Sequence, residues 1–381
     1  MRILIGAIGI VLIVGILWEA FETIVLPRRV TRKFRLTRVF YRASWFPWSG
    51  IARSRPAGKA REASLSFYGP LSLLFLIFLW AACLVIGFAM LHWSIGGTLD
   101  GSGGYTFGLD VYMSGTTFFT LGLGDVIPHG RAARALTVVE AGTGFGFLAL
   151  IISYLPVLYQ AFSRREVNIS LLDSRAGSPF SAVELLRRHG EGHNIPALID
   201  LLKDWEQWSA DLMESHLSYP VLSYFRSQHD NQSWVGALTA MLDACALVMT
   251  GIDGIPIWQA RLTFAMARHT VVDLSQIFGT RPEALKDDRF PRQDFDRMIE
   301  LLEPAGLNLT DPESAYERLG RIRGLYEPYV ASLSHFLIMP LPQWLPSKKA
   351  LDNWQKSAWE RSPLVTAVPG AGHTVGPSQG N

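Results

Sequence analysis

The residues of this 381-residue chain best suited to chemistry are Thr120-Leu121-Gly122-Leu123-Gly124-Asp125, preceded by Ser114 and Thr116-Thr117. Glycine at alternate positions permits the positive φ values that turn successive carbonyl oxygens to one side of an extended strand. Thr120 adds a hydroxyl at the inner end. Such a row of oxygens can replace the water shell of a cation, and four rows around one axis could replace the hydration shell of a potassium ion. No cofactor beyond that ion is expected. One such loop per chain cannot close a ring, so the hypothesis requires a homotetramer. A second, looser set is His216, His229-Asp230, Asp243, and His269 with Asp273 one helical turn on. These residue types bind metals on helical scaffolds, but their spacing is irregular, and core and surface polar roles account for them equally simply.

A carbonyl-lined loop needs helices to hold it at membrane depth. Three runs approach the roughly 20 apolar residues that a span requires: Ile3–Leu26, Phe67–Trp93 and Ala135–Phe162. Between the first two lie eleven Lys/Arg against the single acid Glu62, which places that segment in the cytoplasm. This predicts a plasma-membrane protein with its N-terminus outside, its central loop outside and its C-terminal half in the cytoplasm, and a first span retained rather than cleaved as a leader. The basic segment suits anionic lipid headgroups. Glu19 and Glu22, three apart near the inner end of the first span, are either functional intramembrane acids or partners of the arginines beyond Pro27. The first span lacks the spaced arginines of a voltage sensor.

The pore loop reads as a glycine-rich turret from Ile95 to Gly104, a short re-entrant helix, and a glycine-punctuated return. It resembles the pore loop of the potassium channel superfamily, whose usual filter reads T-V-G-Y-G-D or T-V-G-F-G-D, over about residues 68–162. The resemblance implies that Thr120, Leu121, Gly122, Leu123 and Gly124 form the ion-coordinating filter, that Asp125 sits at its outer mouth, and that Thr117 helps to brace it. Leu121 stands where the family has valine and Leu123 where it has an aromatic, as in the second pore loop of some two-pore-domain potassium channels. Potassium-selective and non-selective conduction therefore remain alternatives. Gly142 and Gly146 fall where the family has the bending glycine and a later small residue of its inner helix. Gly142, Gly144 and Gly146 lower that helix's stiffness or allow close packing, and Pro156 removes a backbone bond near its inner end. Glu140, early in the same helix, lies where it either hydrogen-bonds the pore helix or stands as an outer-vestibule acid.

Composition agrees with a membrane part followed by a polar one. The chain is 49% hydrophobic and 18% charged, against about 25% charged in soluble domains. Residues 1–162 carry 14 Lys/Arg and 7 Asp/Glu, a net +7, whereas 163–381 carry 21 and 26, a net −5. Opposite halves exclude a general nucleic-acid binder. Cys83 and Cys245 each sit in an apolar run and read as buried thiols.

The expected fold is all-α: an N-terminal span in 1–27, a basic loop 28–66, a pore domain 67–163 (outer helix 67–93, pore loop 105–128, inner helix 134–162), a helical domain 164–362 and a disordered tail 363–381. Ser181 with Glu184 forms a capping box, and later helices are predicted near Ala197–Leu217, Gln232–Thr250, Ile257–Phe278, Asp294–Leu302, Pro312–Leu325 and Ala350–Trp359. Trp234–Ile252 is read as a buried core helix rather than a span. No dinucleotide fingerprint in a strand-turn-helix setting, cyclic-nucleotide roll or calcium loop is found. The chain is read as a channel and not an enzyme; the competing class is a non-conducting membrane anchor for a helical metal-hydrolase or binding domain.

Overall fold

The computed structural model describes residues 1–26, 35–96, 106–285, 287–346 and 352–353, and the backbone alone of 99–100. Arg28, Arg29, Arg32 and Lys33, the turret residues 97–98 and 101–104, the helix expected at Ala350–Trp359 and the tail 363–381 lie outside the described residues. The fold is helical, with helices α1 (Arg2–Ala20), α2 (Leu36–Arg53), α3 (Lys59–Ser66), α4 (Tyr68–Ile95), a two-residue strand β1 (Leu99–Asp100), α5 (Phe107–Phe118), β2 (Ile127–Pro128), α6 (Arg131–Ala176), α7 (Ala182–Glu191), α8 (Ile195–Ser218), α9 (Trp234–Met249), α10 (Ile257–Phe278), α11 (Arg292–Leu302), α12 (Pro312–Arg323) and α13 (Glu327–Leu337). Two compact units arise, one from Met1–Arg164 with Glu214–Arg226 and one from Arg165–Met213 with the residues after Ser227.

Among the described residues three helical stretches are long and apolar enough to cross a membrane: Arg2–Val25, Lys59–Ile95 and Arg131–Ala176. Helix α1 ends in a wider turn over Phe21–Val25. It packs along α4 through glycines: a Cβ at Gly9 would stand 2.8 Å from the Gly87 carbonyl oxygen, and one at Gly87 would stand 2.7 Å from Ile13. Where no hydrophobic effect draws helices together, such small residues let backbones approach closely. The 46 residues of α6 run without interruption past Pro156, about 69 Å at 1.5 Å per residue and beyond the end expected at 162.

The basic segment is not an open loop, because α2 and α3 occupy much of it. Its buried residues fall on one helical face: Tyr41, Trp45, Ser49 and Ala52 are buried, while Arg38, Arg42, Val39, Phe46 and Ile51 are exposed. The arginines interrupt the apolar run but not the 3.6-residue period, which is why hydropathy alone reads it as a connector. Glu19 caps this helix, accepting from the Thr37 N–H at 2.9 Å, and the Nε of Arg35 lies 3.9 Å from both Glu19 and Glu22. Both acids are therefore paired, with Arg35.

The Glu214–Arg226 stretch packs within the first unit. The Tyr224 ring stacks on Tyr41 at 5.7 Å and meets Trp45 and Tyr68 edges at 5.0 and 5.1 Å. Phe225 sits on Gly69, whose Cβ would stand 2.7 Å from the ring, and touches Phe162 of α6.

The second unit is a helical body around α9, which is buried on every face from Trp234 to Val248. It is a core helix, too short to span. The capping expected at Ser181 is present, with the Glu184 N–H donating to its hydroxyl at 3.2 Å. Helix α13 has no counterpart among the predicted elements.

Candidate functional site: the pore loop

Helix α5 has twelve residues, about 18 Å, half of what a span needs. The chain must turn back, and the end of the helix fastens that turn. The Thr120 N–H donates to the Thr117 carbonyl at 3.0 Å, and the Leu121 N–H to the Thr116 carbonyl at 2.8 Å. The first filter N–H groups are thus spent on the helix's last carbonyls. Among the described residues no backbone N–H donates to the carbonyls of Thr120, Leu121, Gly122 or Leu123, which are left as acceptors.

Positive φ recurs at every second residue of the return: 57° at Thr120, 57° at Gly122 and 76° at Gly124. Gly122 and Gly124 were expected to do this. Thr120 is a β-branched residue in a region such residues avoid, a local strain of the sort that functional sites store, costing on the order of 1–3 kcal/mol. Alternation of backbone hand over 120–124 is the conformation that allows successive carbonyls to face one side. In the single chain Leu121 and Leu123 are both 63% exposed.

Several side chains brace the loop. The Tyr112 hydroxyl donates to Asp125 Oδ2 at 2.8 Å, tying the pore helix to the end of the filter. Phe118 is buried against Phe119 and Phe147, with ring centroids at 5.3 and 5.9 Å. Thr117 contributes its carbonyl to the turn. At Gly144 a Cβ would overlap the carbonyl oxygen of Phe118, whereas Cβ atoms at Gly142 and Gly146 would meet nothing within 4 Å. Of the three inner-helix glycines, Gly144 is the one on which the pore helix rests in the protomer. Pro156 deprives the Ile152 carbonyl of its helical donor, and the helix continues through it.

Glu140 is fully buried, and its Oε2 lies 3.2 Å from His92 Nε2 on α4. Ser114 of the pore helix also faces this carboxylate. Sequence reasoning singled out Glu140 but missed His92, whose only signal is a histidine inside an otherwise apolar span.

The looser His/Asp set does not converge. Asp243 is held by Arg289 at 2.7 Å and by the Tyr326 hydroxyl at 2.5 Å, His216 bonds the adjacent Ser215, and the exposed His269 lies 3.7 Å from Asp273. Among the described residues no group of three His, Cys, Asp or Glu side chains is placed to hold a metal.

Comparison with known proteins agrees with this geometry. Residues 74–160 match a family model described as "Ion channel". A membrane protein of Bacillus subtilis (strain 168), named "Uncharacterized membrane protein YdjJ", is 22% identical over 191 residues, 49% of this chain and 55% of that protein. The chain therefore spans about half the length of this curated relative. No solved structure matches the chain. Residues 74–160, with their half-length helix and glycine-alternating return, are an ion-channel domain of the potassium channel superfamily.

Proposed function

We propose that the protein is a homotetrameric, potassium-permeable channel of the plasma membrane. Ions pass through carbonyls of Thr120, Leu121, Gly122 and Leu123, with Gly124 closing the filter and Asp125 at its mouth. The observation that carries this reading is the alternating positive φ at Thr120, Gly122 and Gly124 beside carbonyls that no backbone donor occupies. The C-terminal end of α5 adds a partial negative charge below the filter, and a closed ring of carbonyls requires four copies. Gly142, Gly146 and Pro156 are the proposed bending points of the inner helix. Charge asymmetry supports an external N-terminus and a cytoplasmic C-terminal unit. Anionic lipid is the proposed partner of the basic segment, where Arg38 and Arg42 border exposed Val39 and Phe46 on α2.

Non-selective conduction is the second reading, and the residue behind it is Leu123, which has no polar atom with which to brace the filter. Cation flux into proteoliposomes, potassium against sodium, with and without anionic lipid, tests both readings. Potassium flux abolished by Gly122→Asp, in a particle whose mass is four chains, is the expected result. Equal sodium flux replaces the selective reading by the non-selective one. No flux of either ion removes the channel reading.

A further inference from the structure

The contact between His92 and Glu140 joins two helices across 48 residues of sequence, and the filter does not use it directly. Both side chains are wholly buried, and both lie in stretches apolar enough to cross a membrane. An ionisable side chain in that setting is costly unless it is paired. The 3.2 Å separation of Nε2 and Oε2 is one hydrogen bond, made either by a proton on Nε2 of the imidazole or by a protonated carboxyl. Nδ1 of His92 and Oε1 of Glu140 have no hydrogen-bond partner among the described residues.

The pair borders the pore helix. Ser114 of α5 faces Glu140, and Asp110, one turn earlier on the same helical face, is buried as well. The other charges on neighbouring elements are few. Helix α1 brings Arg2 beside Gly96, four residues beyond His92, and α6 next carries Arg134, which is exposed and bonded to the Pro128 carbonyl. One hydrogen bond between α4 and α6 thus stands beside α5.

We propose that His92 is a positioning residue of the pore: bonded to Glu140, it sets α6 and α4 against the pore helix, and the proton content of the pair makes conduction depend on pH. This rests on the channel reading above. With one proton beyond those of a neutral imidazole and an ionised carboxylate, the pair is neutral overall. A second proton leaves an imidazolium against a neutral carboxyl, a net positive charge buried beside a path for cations, which opposes them in a medium of low dielectric. Conduction therefore falls on acidification.

The test is potassium flux through the full-length protein in proteoliposomes between about pH 5 and pH 8, the range in which histidine side chains in general change charge. The wild-type protein, His92→Gln and Glu140→Gln are compared, with assembly checked by size. The expected result is a fall in wild-type flux on acidification, approaching about tenfold per pH unit below the midpoint as one proton requires. Either glutamine variant flattens that profile and lowers the potassium-to-sodium ratio. The two variants approach the same pair from opposite sides, so one that assembles is sufficient. A wild-type flux that Gly122→Asp abolishes but that does not vary with pH, or variants that keep the wild-type profile, overturns this inference alone. Absence of flux at every pH overturns the channel reading instead.

Discussion

At the scale of single residues, the pore loop is held by contacts that tolerate little substitution. Gly144 is the sharpest case, because any Cβ there overlaps the Phe118 carbonyl. Gly144→Ala is expected to lower the unfolding free energy of the solubilised protein by about 1–3 kcal/mol, the usual range for overpacking. Gly142→Ala, with open space around its Cβ, is expected to be neutral or to gain up to about 1 kcal/mol of helix propensity. Thermal unfolding of the two variants side by side checks this, and an equal loss at both would mean that another chain covers Gly142 in the assembled channel. Tyr112→Phe removes the hydrogen bond to Asp125. Because that pair is exposed in the protomer, stability should change by less than about 1 kcal/mol, whereas the potassium-to-sodium flux ratio should fall severalfold if the bond holds the filter mouth.

At the scale of elements, the foot of the membrane unit is an aromatic cluster rather than a polar linker. Trp45 lies within 4.7 Å of Tyr68 and 5.0 Å of Tyr224, so one side chain joins α2, α4 and the Pro220–Tyr224 turn. Trp45→Ala leaves a cavity among them and should cost about 3–5 kcal/mol, read as a lowered melting temperature. Phe46→Ala on the exposed face of the same helix should leave the melting temperature in detergent nearly unchanged. The cluster also explains why residues 214–226, far along the sequence, belong to the membrane unit: Phe225 can lie on α4 only because position 69 has no side chain.

At the scale of the whole molecule, several acids of the C-terminal half are held in ion pairs with arginines. Glu184 accepts from Arg187 at 2.8 Å and from Arg188 at 2.7 Å. Burial alone would raise this carboxyl, but the two guanidinium groups together hold it below its ordinary value. A carboxylate depressed by folding contributes stability that is fully present above its unfolded value, near 4.5, and is lost as pH falls through the lower folded value. Acid unfolding of this unit should therefore steepen below about pH 4.5, and Glu184→Gln should reduce that steepening while lowering stability at neutral pH. An unchanged acid profile in the variant would show that Arg187 and Arg188 do not stabilise the ionised form.

How much was legible beforehand follows from which interactions are local. The apolar spans, the short helix at Phe107–Phe118, the positive φ at Gly122 and Gly124 and the course of Ile257–Phe278 were readable from sequence because hydrophobic period, chain length and glycine spacing act over a few neighbouring residues. Helix α2 was obscured because arginines on its exposed face lower its mean hydropathy while leaving its buried aromatic stripe intact. His92 beside Glu140, Gly144 under Phe118, Tyr112 on Asp125 and Phe225 on Gly69 were not legible, since each joins residues brought together only by packing and no local pattern encodes the partner. The chain by itself determined where backbone carbonyls could be left free for a cation. Tertiary structure alone decided what stands behind them, because a buried polar or small residue takes its role from whatever the fold places within a few ångströms.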